Sequence, residues 1–91
     1  MTTLVRIFGS KAQTRLVQYL LDHPKRVFNQ AGLAAYLDVS PSTVARIIQP
    51  LIEEGMLNYE QVGGQMKVLA LNDENEKTKA LIEFYQKIRD L

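Results

Sequence analysis

The stretch LAAYLDVSPSTVARII, residues 33–48, joins two helical patterns through the short segment Asp38-Val39-Ser40. Ser40 supplies a side-chain oxygen at the N-cap of the second helix. Pro41 occupies the first helical position, where its missing N–H is harmless. Val39 before the cap and Val44 after it hold the two positions of a hydrophobic staple. The first helix starts in the same way, with Asn29 as cap and Phe28 and Leu33 as staple, and is predicted to run to about Leu37. Two helices joined by so short a turn, with an apolar residue inside it, make a helix-turn-helix. On the second of them Val44, Ile47, Ile48 and Leu51 share one face and predict core. Ser42, Thr43, Arg46 and Gln49 share the opposite face and predict surface.

Working outward toward the N-terminus, Leu16 with Leu20 and Val17 with Leu21 repeat at helical spacing. They predict a helix over about 11–22, with Ser10 as its cap and Gln13 as the return half of a capping box. Pro24 ends it at His23, and Arg26-Val27-Phe28 is a short extended piece. In the other direction Gly55 supplies a left-handed residue that stops the second helix of the pair. The period then changes. Leu57–Val62 and Gln65–Leu71 flank Gly63-Gly64, a hairpin signal. A two-residue turn there predicts Glu60 opposite Lys67 and Tyr59 opposite Val68. Asn72 or Asp73 is expected to begin a last helix over about 74–90, with Leu81, Phe84, Tyr85, Ile88 and Leu91 as its apolar stripe.

Composition narrows the function classes. The chain has 91 residues, 46% hydrophobic and 23% charged, enough for a core in an ordinary folded protein. No apolar run nears the roughly 20 residues that span a bilayer, and the first residues lack the pattern of a secretory signal. With no cysteine there is no disulfide, thiolate metal site or cysteine nucleophile. The expectation is a cytoplasmic protein with no membrane and no metal. His23, the single histidine, has no second histidine or cysteine with which to share a metal and reads as a helix-end residue. Ser40, Ser42 and Thr43 have no base to activate them, and Glu53-Glu54 reads as solvated surface, so no catalytic residue, no enzyme activity and no cofactor is expected. The net charge is +1, unevenly spread: residues 1–71 hold seven Lys or Arg against five Asp or Glu, residues 72–91 four against five. The last segment is therefore the less suited to lie on phosphates.

Three helices followed by a glycine-tipped hairpin predict a mainly α fold with a small β-hairpin wing. Here the residues also resemble a family. LAAYLDVSPSTVARII is similar to the helix-turn-helix core of winged-helix transcription regulators of the MarR/ArsR-like kind, common in archaea and bacteria, through Ala34, Leu37, Val39, Ser40, Thr43, Val44, Arg46 and Ile48. LIEEGMLNYEQVGGQMKVLAL, residues 51–71, resembles the family's helix end and wing. The resemblance covers residues 10 to about 72 and implies a winged helix-turn-helix domain over 1–72. Residues 73–91 resemble an appended C-terminal dimerisation helix. Two positions depart from the pattern. Many such turns have glycine where this chain has Asp38, and aspartate still visits the left-handed region more readily than most residues. Pro50, inside the second helix, removes a donor and costs about 3 kcal/mol on propensity. Either the helix bends there between a docking half, residues 41–49, and an anchored rear half, or a solvent-facing turn tolerates the kink.

The resemblance implies double-stranded DNA as partner. Ser40, Ser42, Thr43, Arg46 and Gln49 are the hydrogen-bonding set that suits base edges and phosphates, Arg for guanine and Gln for adenine. On the wing, Gly63 and Gly64 allow close backbone approach, while Gln61, Gln65 and Lys67 can meet phosphates or the minor groove. Against this, any amphipathic helix has a polar outside and any hairpin needs turn glycines. Lys11, Arg15, Lys25 and Arg26 offer phosphate contacts, and solvated charge is the simpler reading of each. The stripe Leu81, Phe84, Tyr85, Ile88 and Leu91 is expected to pair with a second copy in a homodimer; the other possibility is that it folds back on Leu4, Val5, Ile7 and Phe8. The leading expectation is a sequence-specific, dimeric DNA-binding transcription regulator on a pseudo-palindromic operator. The alternative is a winged-helix protein–protein interaction module in a larger complex, which the low net charge favours.

Overall fold

The computed structural model describes residues 3–91; Met1 and Thr2, the start of the expected 1–72 unit, lie outside the described residues. The chain runs α1 (Thr3–Phe8), α2 (Ala12–Asp22), β1 (Phe28–Asn29), α3 (Gln30–Leu37), α4 (Pro41–Glu53), β2 (Leu57–Val62), β3 (Met66–Leu71) and α5 (Glu76–Arg89). This is a mainly α architecture with a hairpin wing. The strands form an antiparallel sheet in the order β1-β3-β2, so the short piece before α3 closes one side of the wing's base.

Local chemistry sets the helix-turn-helix. The Asn29 side chain accepts from the N–H groups of Ala31 at 2.8 Å and Gly32 at 3.2 Å, and Ser40 Oγ accepts from Thr43 N–H at 3.2 Å. Each bond satisfies a donor that the first helical turn leaves without a partner. Asp38 sits in the left-handed region at φ 58° and ends α3, with its N–H donating to Ala35 O and that of Val39 to Ala34 O. Gly55 (φ 76°) follows α4, and a Cβ there would meet Asn75 Nδ2 at 2.9 Å. Position 55 therefore needs glycine for its conformation and for its space.

Two clusters of buried side chains hold the fold. The larger takes Leu16 and Leu20 from α2, Leu33 and Leu37 from α3, Val44, Ile47 and Ile48 from α4, and Phe28, Leu57 and Leu69 from the sheet. The smaller joins Leu4 of α1, Leu21 of α2 and Tyr85 of α5. Each fully buried aliphatic side chain in either contributes about 1.5–3 kcal/mol relative to exposure.

Several sequence expectations need correction. Residues 3–8 form a helix that periodicity over so short a stretch does not reveal. Ser10 does not cap α2: the N-cap is Lys11, with no side-chain bond, and the Ser10 carbonyl accepts from Arg15 Nε at 3.2 Å. Gln13 makes no capping box, because its amide donates to Ile47 O at 3.0 Å, close to where Pro50 interrupts the α4 ladder. The hairpin register is one residue off the expected one: Glu60 faces Val68, Gln61 faces Lys67 and Tyr59 faces Leu69. Only this pairing puts Leu57 and Leu69 on the same, core-facing side of the sheet, since directly paired residues share a face. It leaves Gly63-Gly64-Gln65 as the connection, with both glycines at positive φ. The last helix starts later than expected, after Asn75, whose side chain accepts from Lys77 and Thr78 N–H at 2.9 and 3.1 Å. Asn72 is occupied in pinning the wing's exit, its N–H donating to Met56 O at 2.8 Å and its amide to Gly55 O at 3.0 Å.

Candidate nucleic-acid interface

The buried face of α4 fixes what the opposite face can present. With Val44, Ile47 and Ile48 in the core, Ser42, Arg46 and Gln49 are exposed, Ser40 is exposed at the cap and Thr43 is half-buried. The three hydroxyls at the helix start bond to one another, Ser40 to Ser42 at 3.0 Å and to Thr43 at 2.9 Å. They form a small polar cluster with donors and acceptors still facing solvent. Gln49 donates to Glu53 at 3.2 Å on the exposed side. Arg46 takes part in no ion pair among the described residues. It lines a shallow recess with Lys11, Gln13 and Pro50. Pro50 is exposed within α4, one turn beyond Arg46 on the same side of the helix.

The wing stands beside the start of this helix. Gln61 and Lys67 are paired across the hairpin and share the face that carries Leu57 and Leu69 toward the helices. A cleft of about 390 Å³ separates the wing from the helix starts, lined by Asn29, Gln30, Ala31 and Pro41 on one wall and by Gln65, Met66 and Lys67 on the other. Gly63 and Gly64 form an open tip, where a Cβ would meet nothing within 4 Å. The Gln61 amide donates to the Gly64 carbonyl and braces that tip. Ser40, Ser42 and Thr43 thus lie at the cleft end of α4, while Arg46 and Gln49 lie one and two turns further along.

The other cations divide. Arg15 donates to Leu37 O at 2.9 Å and to Ser10 O, so it braces the end of α3. Lys25 pairs with Asp73 at 2.8 Å; the hydrogen bond holds the Lys25 ammonium above its ordinary pKa and the Asp73 carboxyl below its own. Arg26 lies over the Phe28 ring, 5.2 Å from its centre. Lys11 and Lys67 resemble Arg46 in having no ion pair among the described residues. On α5, by contrast, Lys77, Lys79, Lys87 and Arg89 each face a carboxylate. Arg6 on α1 is also exposed and without an ion pair among the described residues, so the unpaired positive charge lies on the α4 and wing side and at this one position of α1.

The expected dimer stripe is split. Tyr85 is 1% exposed and belongs to the chain's own core. Gln18 donates to its hydroxyl, which donates to Asp22, while Gln18 Oε1 accepts from Leu4 N–H at 2.8 Å. Burial, and behind it the neighbouring Asp22 carboxylate, pushes the Tyr85 hydroxyl up to about 12. Tyr85 is thus corrected from interface to interior, because a tyrosine with partners for its oxygen is satisfied inside. Phe84 remains 44% exposed and Leu91 fully exposed, with Leu81 and Ile88 half-buried. His23 stands edge-on to Tyr19, with ring centres 5.1 Å apart. Gln13, Gln30 and Tyr59 are site-side residues that sequence patterns miss, because each acts through a bond to a distant element.

Solved structures share this fold. A possible transcriptional regulator from Methanosarcina mazei Go1 superposes with a TM-score of 0.66 at 25% identity, over 88% of this chain and 67% of that one. RV1404 from Mycobacterium tuberculosis matches at 0.63 and 18% identity, over 96% of this chain and 61% of its own. MepR, a transcription regulator of the Staphylococcus aureus multidrug efflux pump MepA, matches at 0.63 and 17% identity, over 96% and 65%. The chain therefore spans between 61% and 67% of the length of these proteins. No protein-family model matches the sequence, and no curated protein does. Fold and exposed helix face together define the class, a winged helix-turn-helix protein of the kind found in transcription regulators.

Proposed function

We propose that this chain binds double-stranded DNA in a sequence-specific way and regulates transcription from the cytoplasm as a homodimer on a pseudo-palindromic operator. The observation that carries the reading is the outer face of α4: exposed Ser42, Arg46 and Gln49, with Arg46 free of ion pairs among the described residues, beside a glycine-tipped wing. In this reading α4 enters the major groove and Arg46 pairs with guanine O6 and N7, an interaction worth about 1–3 kcal/mol of discrimination. Lys11 and Lys67 contact phosphates, which fix register without carrying sequence. Two copies join through Phe84, Leu91, Leu81 and Ile88 of α5, together with the exposed Ile7 and Phe8 of α1. A two-fold arrangement places the reading helices on half-sites about one helical turn apart, ~34 Å.

The net charge of +1 supports one other reading, a winged-helix module that docks on protein. One experiment separates them. Selection of bound duplexes from a random pool at 50 mM salt is expected to enrich an inverted repeat. Affinity for the enriched site should then fall with salt at a log–log slope of about −4 to −5, from roughly four to six phosphate contacts per dimer. No enrichment at that salt supports the protein-docking module instead.

A further inference from the structure

Gln30 is the first residue of α3 and only 7% exposed, yet both ends of its amide are occupied. Its Oε1 accepts from the Tyr59 hydroxyl at 2.7 Å, and its Nε2 donates to the Pro41 carbonyl at 3.4 Å. One side chain thus ties together α3, the first residue of α4 and strand β2 of the wing. Among the described residues, Tyr59 to Gln30 is the one side-chain hydrogen bond that runs from the hairpin strands to a helix. The base of the wing is anchored by Leu57 and Leu69 in the core and by the bonds of Asn72 to Gly55 and Met56, but toward the tip no other side-chain bond to a helix holds its angle among the described residues. β1 pairs with β3 only at Leu69 and Val68, so the hairpin beyond them is a two-stranded ribbon, and such ribbons are weakly stable by themselves.

Gln30 also lines the cleft between the wing and the helix starts, with Pro41 beside it and Lys67 on the opposite wall. Elements that lie in two adjacent grooves of a duplex must have one sugar-phosphate strand between them, and this cleft separates the wing from the starts of α3 and α4, with Pro41 as the α4 residue on its wall. We propose that the Tyr59–Gln30–Pro41 link is a clamp that sets the width of this cleft, and that the cleft takes one sugar-phosphate strand with Lys67 on its phosphates. The proposal rests on the DNA-binding reading above and names the part of the duplex that this cleft receives. Tyr59 and Gln30 are positioning residues: neither needs to touch DNA, and both determine whether Lys67 does.

The test is a double-mutant cycle on the selected duplex, using the full chain. Tyr59→Phe keeps the ring and removes only the hydroxyl, and its unfolding midpoint in urea checks that the body is intact. Losing one hydrogen bond of this kind is expected to weaken DNA binding about 3- to 10-fold. Lys67→Ala should weaken wild-type binding by about the same factor, but by less than about 2-fold in the Tyr59→Phe background, because an unclamped wing no longer delivers the lysine. Arg46→Ala should cost the same factor in both backgrounds. A plain structural defect would scale the Lys67 and Arg46 contacts alike. Tyr59→Phe binding as wild type does, Lys67→Ala without effect in the wild type, or equal Lys67 effects in both backgrounds would each overturn the clamp while leaving DNA binding standing. A wild-type chain that binds no duplex at all overturns the underlying reading and the clamp together.

Discussion

The two ends of the molecule solve opposite problems. Around α4 and the wing, the core cluster is apolar, with Gln30 as the buried polar residue at its edge, and the outside carries cations without partners among the described residues. Around α5, a polar chain runs through the interior, from Leu4 N–H through Gln18 to Tyr85 and Asp22, and the cations of α5 itself face carboxylates while Phe84 and Leu91 are left bare. A surface of unpaired cations suits a polyanion, whereas paired charges around exposed apolar side chains suit a second polypeptide. The difference supports the proposed reading, with DNA at one end and a partner copy at the other, a distinction that the net charge of the whole chain conceals.

The largest effect that bears on this contrast is in the apolar interior. Leu16 is fully buried there, and Leu16→Ala is expected to lower the unfolding free energy by about 2–5 kcal/mol in urea denaturation. Next is the apolar outside of α5. Replacing both Phe84 and Leu91 with Glu should convert a dimer to a folded monomer in sedimentation equilibrium, since burying each side chain is worth about 1.5–3 kcal/mol. Surface substitution is the sharper tool here, because removing residues 76–91 would also take Tyr85 and Thr78 out of the protomer's own core. A dimer that survives both glutamates would erase the distinction between the two ends.

The polar interior comes third. Tyr85→Phe leaves Asp22 and Gln18 short of a partner and should cost about 1–3 kcal/mol. It has a pH signature as well. An unfolded tyrosine releases its proton near 10.0 and folded Tyr85 at about 12, so between those values the folded state holds more protons and stability falls as pH rises. That contribution is complete below pH 10.0 and gone above about 12, and the variant should show a shallower fall across the window. Ser40→Ala removes the α4 cap and should cost typically ~1 kcal/mol, with a matching loss of helical signal on heating. The smallest effect is expected from Asp73→Asn. The Lys25–Asp73 pair is exposed, so the unfolding midpoint at neutral pH should not move measurably. Because Lys25 holds the Asp73 carboxyl below its ordinary value of 3.8, whatever the pair contributes is present above that value and lost as pH falls below it.

Much of the fold was legible in short-range chemistry. Asn29, Ser40, Pro41, Asp38 and Gly55 each perform a job that depends on neighbours within four residues, and each stands where the sequence puts it. The errors share a cause. Ser10 and Gln13 have the letters of a capping box, but Gln13 is bonded to a carbonyl on α4, 34 residues away. Tyr85 lies on the apolar stripe beside Phe84, and periodicity identifies such a stripe without saying what covers each residue. Its hydroxyl has partners only because α5 lands on the Gln18 and Asp22 side of α2, a tertiary fact. The hairpin register was recoverable: the turn dipeptide suggested one pairing, whereas placing Leu57 and Leu69 on one face required the other. With that register, Tyr59 falls on the helix side of the wing, the first step toward its bond with Gln30.

The outer face of α4 was legible for the same reason, since three buried positions, Val44, Ile47 and Ile48, with half-buried Leu51 at the same spacing, fix where the other side points. That it meets nucleotides is the claim on which the functional account depends. The most direct measurement is the affinity of Arg46→Ala, relative to wild type, for the duplex that selection enriches and for the same duplex with its half-site guanines replaced. The account predicts a loss of about 1–3 kcal/mol on the enriched site and almost none on the replaced one, with the unfolding midpoint unchanged. Equal affinities of variant and wild type for the enriched site would contradict it.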